Sequence, residues 1–175
     1  MPEITDKPPD DIEEELEKLR EDLDNSIPAK ELDRNLLIAT WNIRAFGGLT
    51  KKWKASSSDS PKRDLHALLC IAEIVSRFDV IAIQEVCGDL RALRHMLKVL
   101  NPAWQFLMTD VTRGDAGNRE RIAFLFDTRK VRLSGLACEL VIPPDELGKI
   151  AQDALQEQFA RTPYYYNDGS LDTEM

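Results

Sequence analysis

Apolar residues recur along this chain with two spacings, one typical of helices and the other of strands. Near the start, Ile12, Leu16, Leu19 and Leu23 repeat at helical spacing and form one apolar stripe on a strongly acidic helix that runs to about Asp24. Acidic side chains in its first turn suit the helix dipole. We expect this helix to pack its stripe against the rest of the protein, with a partner-binding helix as the alternative.

Beyond this segment, strands and helices alternate, and then strands dominate. The predicted strands cover residues 36–42, 80–85, 104–109, 121–126, 131–136 and 161–166. The predicted helices start at Ser60, which is followed by Pro61 in the first turn, at Asp89, and at Asp145, and the last of them reaches residue 158. This order predicts an α/β domain in which sheet layers are flanked by helices.

The charges divide the chain into two parts of unlike character. Residues 1–34 hold 13 acidic and 5 basic residues, whereas residues 35–142 hold 11 acidic and 16 basic ones. We therefore separate an acidic leader, residues 1–34, from a body, residues 35–175, and we expect the body to fold without the leader. The basic centre of the body is compatible with a polyanionic partner but does not identify one.

Several classes of protein are excluded by features that the chain lacks. No apolar run approaches the roughly 18 residues of a membrane-spanning helix, and the first residues do not resemble a secretory signal. We therefore expect no membrane partner and a cytoplasmic location. Cys70, Cys87 and Cys138 are odd in number and widely spaced, which predicts reduced thiols rather than disulfides or a zinc site.

Two of the predicted strands end in polar side chains that carry oxygen atoms. Asn42 ends the strand over residues 36–42, and Glu85 ends the strand over residues 80–85. An amide and a carboxylate at neighbouring strand ends supply the oxygen ligands that Mg²⁺ prefers, and such an ion activates water and binds phosphate oxygens. The pattern predicts a phosphodiesterase or phosphatase site in which Glu85 and Asn42 lie close together as metal ligands.

Four segments in register with these strands carry a family resemblance. They are WNIRAFG at residues 41–47, FDVIAIQEV at 78–86, RERIAFLF at 119–126 and FARTP at 159–163. In their order and spacing the chain resembles the endonuclease/exonuclease/phosphatase superfamily, and its DNase I-like branch most closely. The resemblance implies a four-layer α/β sandwich, with two central sheets and helices outside, and Mg²⁺-dependent attack of water on a phosphate ester.

The resemblance also implies a role for individual residues. Glu85 matches the family's principal metal-binding glutamate, and Asn42 matches the asparagine beside that metal. Glu120 matches a glutamate that orients a catalytic histidine in the nuclease branch, although an exposed ion pair with neighbouring arginines is an alternative for this residue. Arg161 matches an arginine that faces the scissile phosphate, a role for which the guanidinium fork is well suited.

The chain departs from the family pattern in two ways. Cys87 stands where DNase-like relatives often have an arginine that contacts nucleic acid. The family's catalytic histidines and later aspartate pairs have no counterpart after Tyr166, since the chain has two histidines, His66 and His95, which we expect at the surface. We therefore expect the N-terminal part of such an enzyme, whether a fragment, a truncated gene or a degenerate copy, that is inactive by itself.

The favoured function is Mg²⁺-dependent phosphodiester hydrolysis, with DNA as the substrate of the complete enzyme. One alternative is a phosphomonoesterase of the same superfamily, which acts on a small or lipid phosphate. The other is a non-catalytic interaction protein whose only binding element is the acidic helix. Lys51, Lys52, Trp53 and Lys54 combine charges with an aromatic ring as nucleic-acid strands favour, but a flexible solvated loop is the simpler interpretation.

Overall fold

Helices and strands alternate in the computed structural model, which describes residues 1–109, 120–133, 137–139 and 164–166, the last two segments by their backbone alone. The helices are α1 (Asp10–Ser26), α2 (Leu65–Ser76) and α3 (Arg91–Val99). The strands are β1 (Ile38–Phe46), β2 (Val80–Val86), β3 (Trp104–Met108), β4 (Arg121–Asp127), β5 (Ala137–Glu139) and β6 (Tyr164–Tyr166). The predicted α/β class is confirmed.

Four of the strands form one open mixed sheet in the order β1-β2-β4-β3. β1 and β2 are parallel and are joined through α2, whereas β4 is antiparallel to both of its neighbours. β5 and β6 pair with each other as a separate antiparallel sheet. The four-layer sandwich that the family resemblance implies stays a prediction.

The core fills the space between one face of the four-stranded sheet and the helices. Alternate residues of the central strands are buried, as the strand period requires. The sheet contributes Ile81, Ile83, Ala123 and Leu125, and the helices contribute Leu65, Leu68, Val75, Leu93 and Met96. This packing holds the strands rigidly, so the side chains at their ends are positioned by the core.

The acidic leader belongs to this packing. Ile12 and Leu16 of α1 are at most 1% exposed, which confirms the predicted apolar stripe, and Leu19 and Leu23 are half-buried. Ile4, ahead of the helix, is 2% exposed and lies in the core cluster. We therefore now expect the body to depend on the leader, in contrast to the expectation from the charges.

A network of buried charges lies at the end of the sheet where β2 begins and β4 ends. Asp79 is fully buried, and its Oδ2 accepts the Leu37 N–H at 2.7 Å and the Lys130 ammonium at 3.0 Å. Asp127 accepts hydrogen bonds from Arg129, which hold the pKa of its carboxyl well below the ordinary value, and from Lys30. The network therefore joins the leader, β2 and the residues after β4.

The predicted start of the second helix and the predicted end of the first strand are wrong. α2 begins at Leu65 rather than near Ser60, because the Asp64 carboxylate accepts the Ala67 N–H at 2.9 Å and caps the helix. β1 continues past Asn42 to Phe46. At the start of α3, the Asp89 carboxylate accepts the Arg91 N–H at 3.0 Å, as the predicted cap requires, and the helix begins at Arg91.

The end of the chain tests fewer of the predictions. Residues 131–133 lie outside any strand, so the strand predicted over residues 131–136 is wrong at its start. The helix predicted over residues 145–158 lies outside the described residues, and β6 confirms the last part of the strand predicted over residues 161–166. Within the part of the chain that the structure describes, no helix is long and apolar enough to cross a membrane.

Candidate functional site

One end of the four-stranded sheet collects three of the predicted site residues. Because β1 and β2 are parallel, Asn42 and Glu85 both lie toward this end. β4 is antiparallel to β2, with Arg121 opposite Val86, so Glu120, directly before β4, reaches the same end. The topology thus brings together residues that are far apart in the sequence.

The pairing of β1 with β2 breaks at this end in a bulge. Asn42 pairs with Gln84 and Phe46 with Val86, so residues 43–45 of β1 face Glu85 alone. Ala45 and Glu85 both have left-handed backbones, with φ of 48° and 61°. The Ala45 N–H donates to Glu85 Oε2 at 3.1 Å. Bulges of this kind redirect a side chain from the regular alternation of a strand.

Asn42 lies directly beside this bulge, on the strand next to Glu85. Its Cα partner is Gln84, the residue before Glu85, so the two predicted ligands are neighbours across the strand pair. The Asn42 side chain is exposed, on the same face of β1 as Thr40, whose Oγ1 accepts the Gln84 Nε2–H at 3.4 Å. The amide is therefore accessible at the edge of the site.

Arg63 supports the bulge, although nothing in the sequence marks it as a site residue. Its guanidinium donates to the carbonyl oxygens of Ala45 and Arg44, both at 2.7 Å, and lies 5.1 Å from the centre of the Phe46 ring. Burial lowers the pKa of this guanidinium. Because it bonds two consecutive carbonyls, Arg63 holds the irregular turn of β1 in place. The Arg44 side chain is exposed.

The close approach of two loops also depends on Gly47. A Cβ atom at this position would lie 2.8 Å from the Cβ of Cys87 and 3.3 Å from the carbonyl oxygen of Asp89. The Cys87 N–H donates to the Phe46 carbonyl at 2.9 Å, which joins the ends of β1 and β2 beyond the bulge. Glycine at position 47 therefore allows the loop after β1 to lie against the loop after β2.

Cys87 reports the charges that surround the site. Burial raises the pKa of its thiol first, the negative charge of Glu120 raises it next, and Glu85 adds a smaller effect in the same direction. The cation of Arg63 acts in the opposite sense. The negative charges of Glu120 and Glu85 therefore both act on the Cys87 thiol.

The side chains of Asn42, Glu85 and Glu120 carry oxygen atoms, which are the ligands that a hard cation such as Mg²⁺ prefers. Glu85 and Glu120 are half-buried, and both make interactions within the protein. No group of three His, Cys, Asp or Glu side chains converges as a metal site in the described residues. An ion held here would keep several of its waters, as Mg²⁺ usually does. Arg161, the fourth predicted site residue, lies outside the described residues.

Both histidines lie on helices rather than at the strand ends. His95 of α3 is buried and its Nδ1 lies 2.8 Å from the Arg91 carbonyl, so the prediction of a surface position is wrong for this residue. His66 of α2 is half-buried, with its Nε2 3.2 Å from a Glu15 carboxylate oxygen. Each histidine is thus explained by contacts with its own helix or with α1.

The lysines after β1 reach solvent, as the sequence predicts, but each of them also forms an ion pair. Lys51 lies 3.7 Å from Glu3, Lys52 2.8 Å from Asp59, and Lys54 2.6 Å from Asp11, each measured from Nζ to a carboxylate oxygen. Trp53 packs against the core cluster. The segment is therefore held by ion pairs and by an apolar contact.

The left-handed backbone at Ala45 leads to a first prediction. Ala45→Gly should raise the free energy of unfolding by about 1 kcal/mol, because glycine adopts this conformation without the steric cost that a Cβ imposes. As a control, Ala39→Gly in the regular part of β1 should lower it by about 0.5–1 kcal/mol or more. Urea denaturation measures both changes. A loss of stability in Ala45→Gly would show that the bulge is not formed in solution.

Comparison with known proteins does not assign this chain to a family. No protein-family model matches the sequence, and a search of curated proteins finds no significant match.

Proposed function

We propose that this chain carries the metal- and phosphate-binding part of a Mg²⁺-dependent phosphodiester hydrolase of the endonuclease/exonuclease/phosphatase type, with DNA as the substrate of the complete enzyme. In this proposal Glu85 and Asn42 bind the ion, and Glu120 lies at the rim of the same site. Arg161 has the role of contacting the scissile phosphate.

The left-handed conformation of Glu85 is the observation that carries the proposal. A side chain other than glycine adopts positive φ at a cost of roughly 1–3 kcal/mol, and such residues cluster at functional sites. Here the strained residue is a carboxylate in a bulge, beside an exposed amide on the neighbouring strand. The core does not require the left-handed Glu85 or the exposed Asn42, since the next residue of β2, Val86, is again buried.

The donors at this end of the sheet suit Mg²⁺ better than a softer metal. The Glu85 carboxylate and the Asn42 amide present oxygen atoms, and Mg²⁺ is commonly bound through one or two carboxylates with the rest of its shell filled by water. When bound, such an ion lowers the pKa of water and neutralises charge on phosphate oxygens. Asn42 would orient the ion's shell, and exposed Arg44 is available to a phosphate group.

In the described residues, no histidine is placed as a proton carrier beside Glu85 and Asn42. General acid–base catalysis contributes about 10²–10⁴-fold, and both histidines are on helices with contacts of their own. Glu120 has the acidic group that would hold a histidine in the nuclease branch, but no histidine of this chain is described near it. We therefore propose binding, rather than turnover, as the activity of this polypeptide.

The test is Mg²⁺ binding by the whole chain. Isothermal titration calorimetry measures the affinity for Mg²⁺, and electron paramagnetic resonance measures the binding of Mn²⁺ as its substitute. The native chain should bind one ion, and Glu85→Gln should weaken binding at least tenfold, because one carboxylate ligand is lost. Glu17→Gln makes the same change of charge on an exposed position of α1 and should leave binding unchanged. Asn42→Ala should give a smaller loss than Glu85→Gln.

Equal binding by Glu85→Gln and Glu17→Gln would overturn the metal site. Thermal denaturation of each variant separates a lost ligand from a lost fold, since the Glu85→Gln protein should still unfold cooperatively. Addition of a short DNA duplex or of inositol hexakisphosphate to the Mg²⁺-loaded protein compares the two substrate classes. Tighter binding of the inositol phosphate would favour the phosphomonoesterase alternative.

A further inference from the structure

Residues 51–54, here called the lysine loop, form two ion pairs with the acidic leader. Lys51 Nζ lies 3.7 Å from Glu3 Oε1, and Lys54 Nζ lies 2.6 Å from Asp11 Oδ2. The hydrogen bond to Asp11 is the largest cause of a raised pKa at Lys54. Two lysines of the body are therefore neutralised by carboxylates that are some forty or more residues away in the sequence.

The lysine loop is fixed at the same end of the sheet as Glu85. The Leu65 N–H donates to the Lys52 carbonyl at 3.0 Å, and the Thr50 N–H donates to the Arg63 carbonyl at 2.8 Å. Arg63 in turn bonds the carbonyls of the β1 bulge. The lysine ammonium groups are thus presented by a loop that is attached to the bulge, rather than by a free segment.

Besides its ion pairs with other parts of the body, the leader is held in place by apolar contacts next to Glu3 and Asp11. Ile4 is 2% exposed and Ile12 is fully buried, and these residues directly follow Glu3 and Asp11 in the sequence. The ion pairs themselves are open to solvent, with side-chain exposures of 35% for Lys51 and 56% for Lys54. Exposed ion pairs contribute little to stability, so the lysines are able to exchange partners while the leader stays anchored.

We propose that the lysine loop is a binding surface for a phosphodiester backbone, and that Glu3 and Asp11 occupy it in cis as competitors of that backbone. The choice of a phosphodiester as the partner rests on the proposed function, but the contact does not require a metal ion. The ammonium groups of Lys51 and Lys54 would each donate hydrogen bonds to a phosphate in place of a carboxylate. Trp53 packs against the core cluster and so contributes support rather than base stacking.

The test compares two doubly neutralised variants of the full chain. Glu3→Gln with Asp11→Asn removes the two competitors, whereas Glu14→Gln with Glu17→Gln removes the same charge from exposed positions of α1 that have no described contact with the loop. Binding of a fluorescent 20-base-pair DNA duplex is measured by anisotropy in EDTA. The first variant should bind several-fold more tightly than the native chain at low salt, and the control variant should not.

Salt dependence supplies a second readout. Two additional phosphate contacts steepen the loss of affinity by about tenfold between ~50 and ~200 mM salt, since each contact contributes a slope of about −0.9. Adding Lys51→Gln and Lys54→Gln to the Glu3/Asp11 variant should abolish the gain. Thermal denaturation verifies that each variant is folded.

Equal gains in the two neutralised variants, or no gain in either, would overturn the proposal. The EDTA in this assay separates the lysine loop from the metal site, because lysine ammonium groups bind phosphate without an ion. Failure of Mg²⁺ binding together with a gain in the Glu3/Asp11 variant would reject the metal site and retain the competing leader. The reverse pattern would retain the metal site and reject the competition.

Discussion

Asp79→Asn should lower the free energy of unfolding by about 3–5 kcal/mol, because it leaves a buried ammonium group without its charged partner. The Asp79 side chain is fully buried, and the side chain of Lys130, 3.0 Å away, is 4% exposed. The amide keeps the size of the carboxylate but carries no charge to balance Lys130. Chemical denaturation at neutral pH measures the loss, and a change below about 1 kcal/mol would show that the charge pair is not formed.

Two further variants identify the cause of that loss. Asp22→Asn makes the same substitution on an exposed position of α1 and should change stability by less than about 0.5 kcal/mol. Asp79→Asn combined with Lys130→Met should recover at least half of the loss, because the buried ammonium is removed together with its partner, and Lys30, 3.3 Å from Asp79, keeps its ion pair with Asp127. No recovery would assign the effect to the hydrogen bond from the Leu37 N–H instead.

Deletion of residues 1–34 should abolish cooperative thermal unfolding of the remainder. The deletion removes Ile4, Ile12 and Leu16, which are at most 2% exposed, and Lys30, which donates to the Phe78 carbonyl at 2.8 Å. Loss of a single buried aliphatic side chain costs about 2–5 kcal/mol, and a domain has roughly 5–15 kcal/mol in total. Differential scanning calorimetry and circular dichroism follow the transition.

Point variants keep this prediction measurable when the deletion protein does not fold. Leu16→Ala should lower the free energy of unfolding by about 3 kcal/mol, within the range for buried leucines, whereas Glu17→Ala, its exposed neighbour, should change it by less than about 0.5 kcal/mol. If the deletion protein unfolds cooperatively with the midpoint of the native chain, the body folds without the leader, as the charge distribution alone predicts.

Helices and strands that are marked by the spacing of apolar residues along the chain were predictable from the sequence. The stripe of Ile12 and Leu16 indicated the buried side of α1, and the apolar runs around Ile81 and Leu125 indicated central strands. Element ends were less predictable, because they depend on hydrogen bonds that the pattern does not encode. The Asp64 carboxylate caps α2 although Ser60 and Pro61 form the stronger cap signature, and β1 continues to Phe46 through a bulge.

Sequence also proposed Asn42, Glu85 and Glu120, and the strand topology brings all three to one end of the sheet. Their chemical role stays a prediction, because neither the fold nor the comparisons test it. The supporting residues were not predictable. Arg63 belongs to no motif and acts through the carbonyls of Ala45 and Arg44.

By itself, the sequence determined the periodicity of the core, the order of the elements and the residue types at the strand ends, since each of these depends on neighbours along the chain. Only the tertiary structure decided where the charges go. Glu3 and Asp11 belong to an acidic leader in the sequence, but in the fold they face Lys51 and Lys54. Burial of Ile4 and Ile12 brings the neighbouring carboxylates of Glu3 and Asp11 against the body. No local sequence pattern specifies which lysines these carboxylates will meet there.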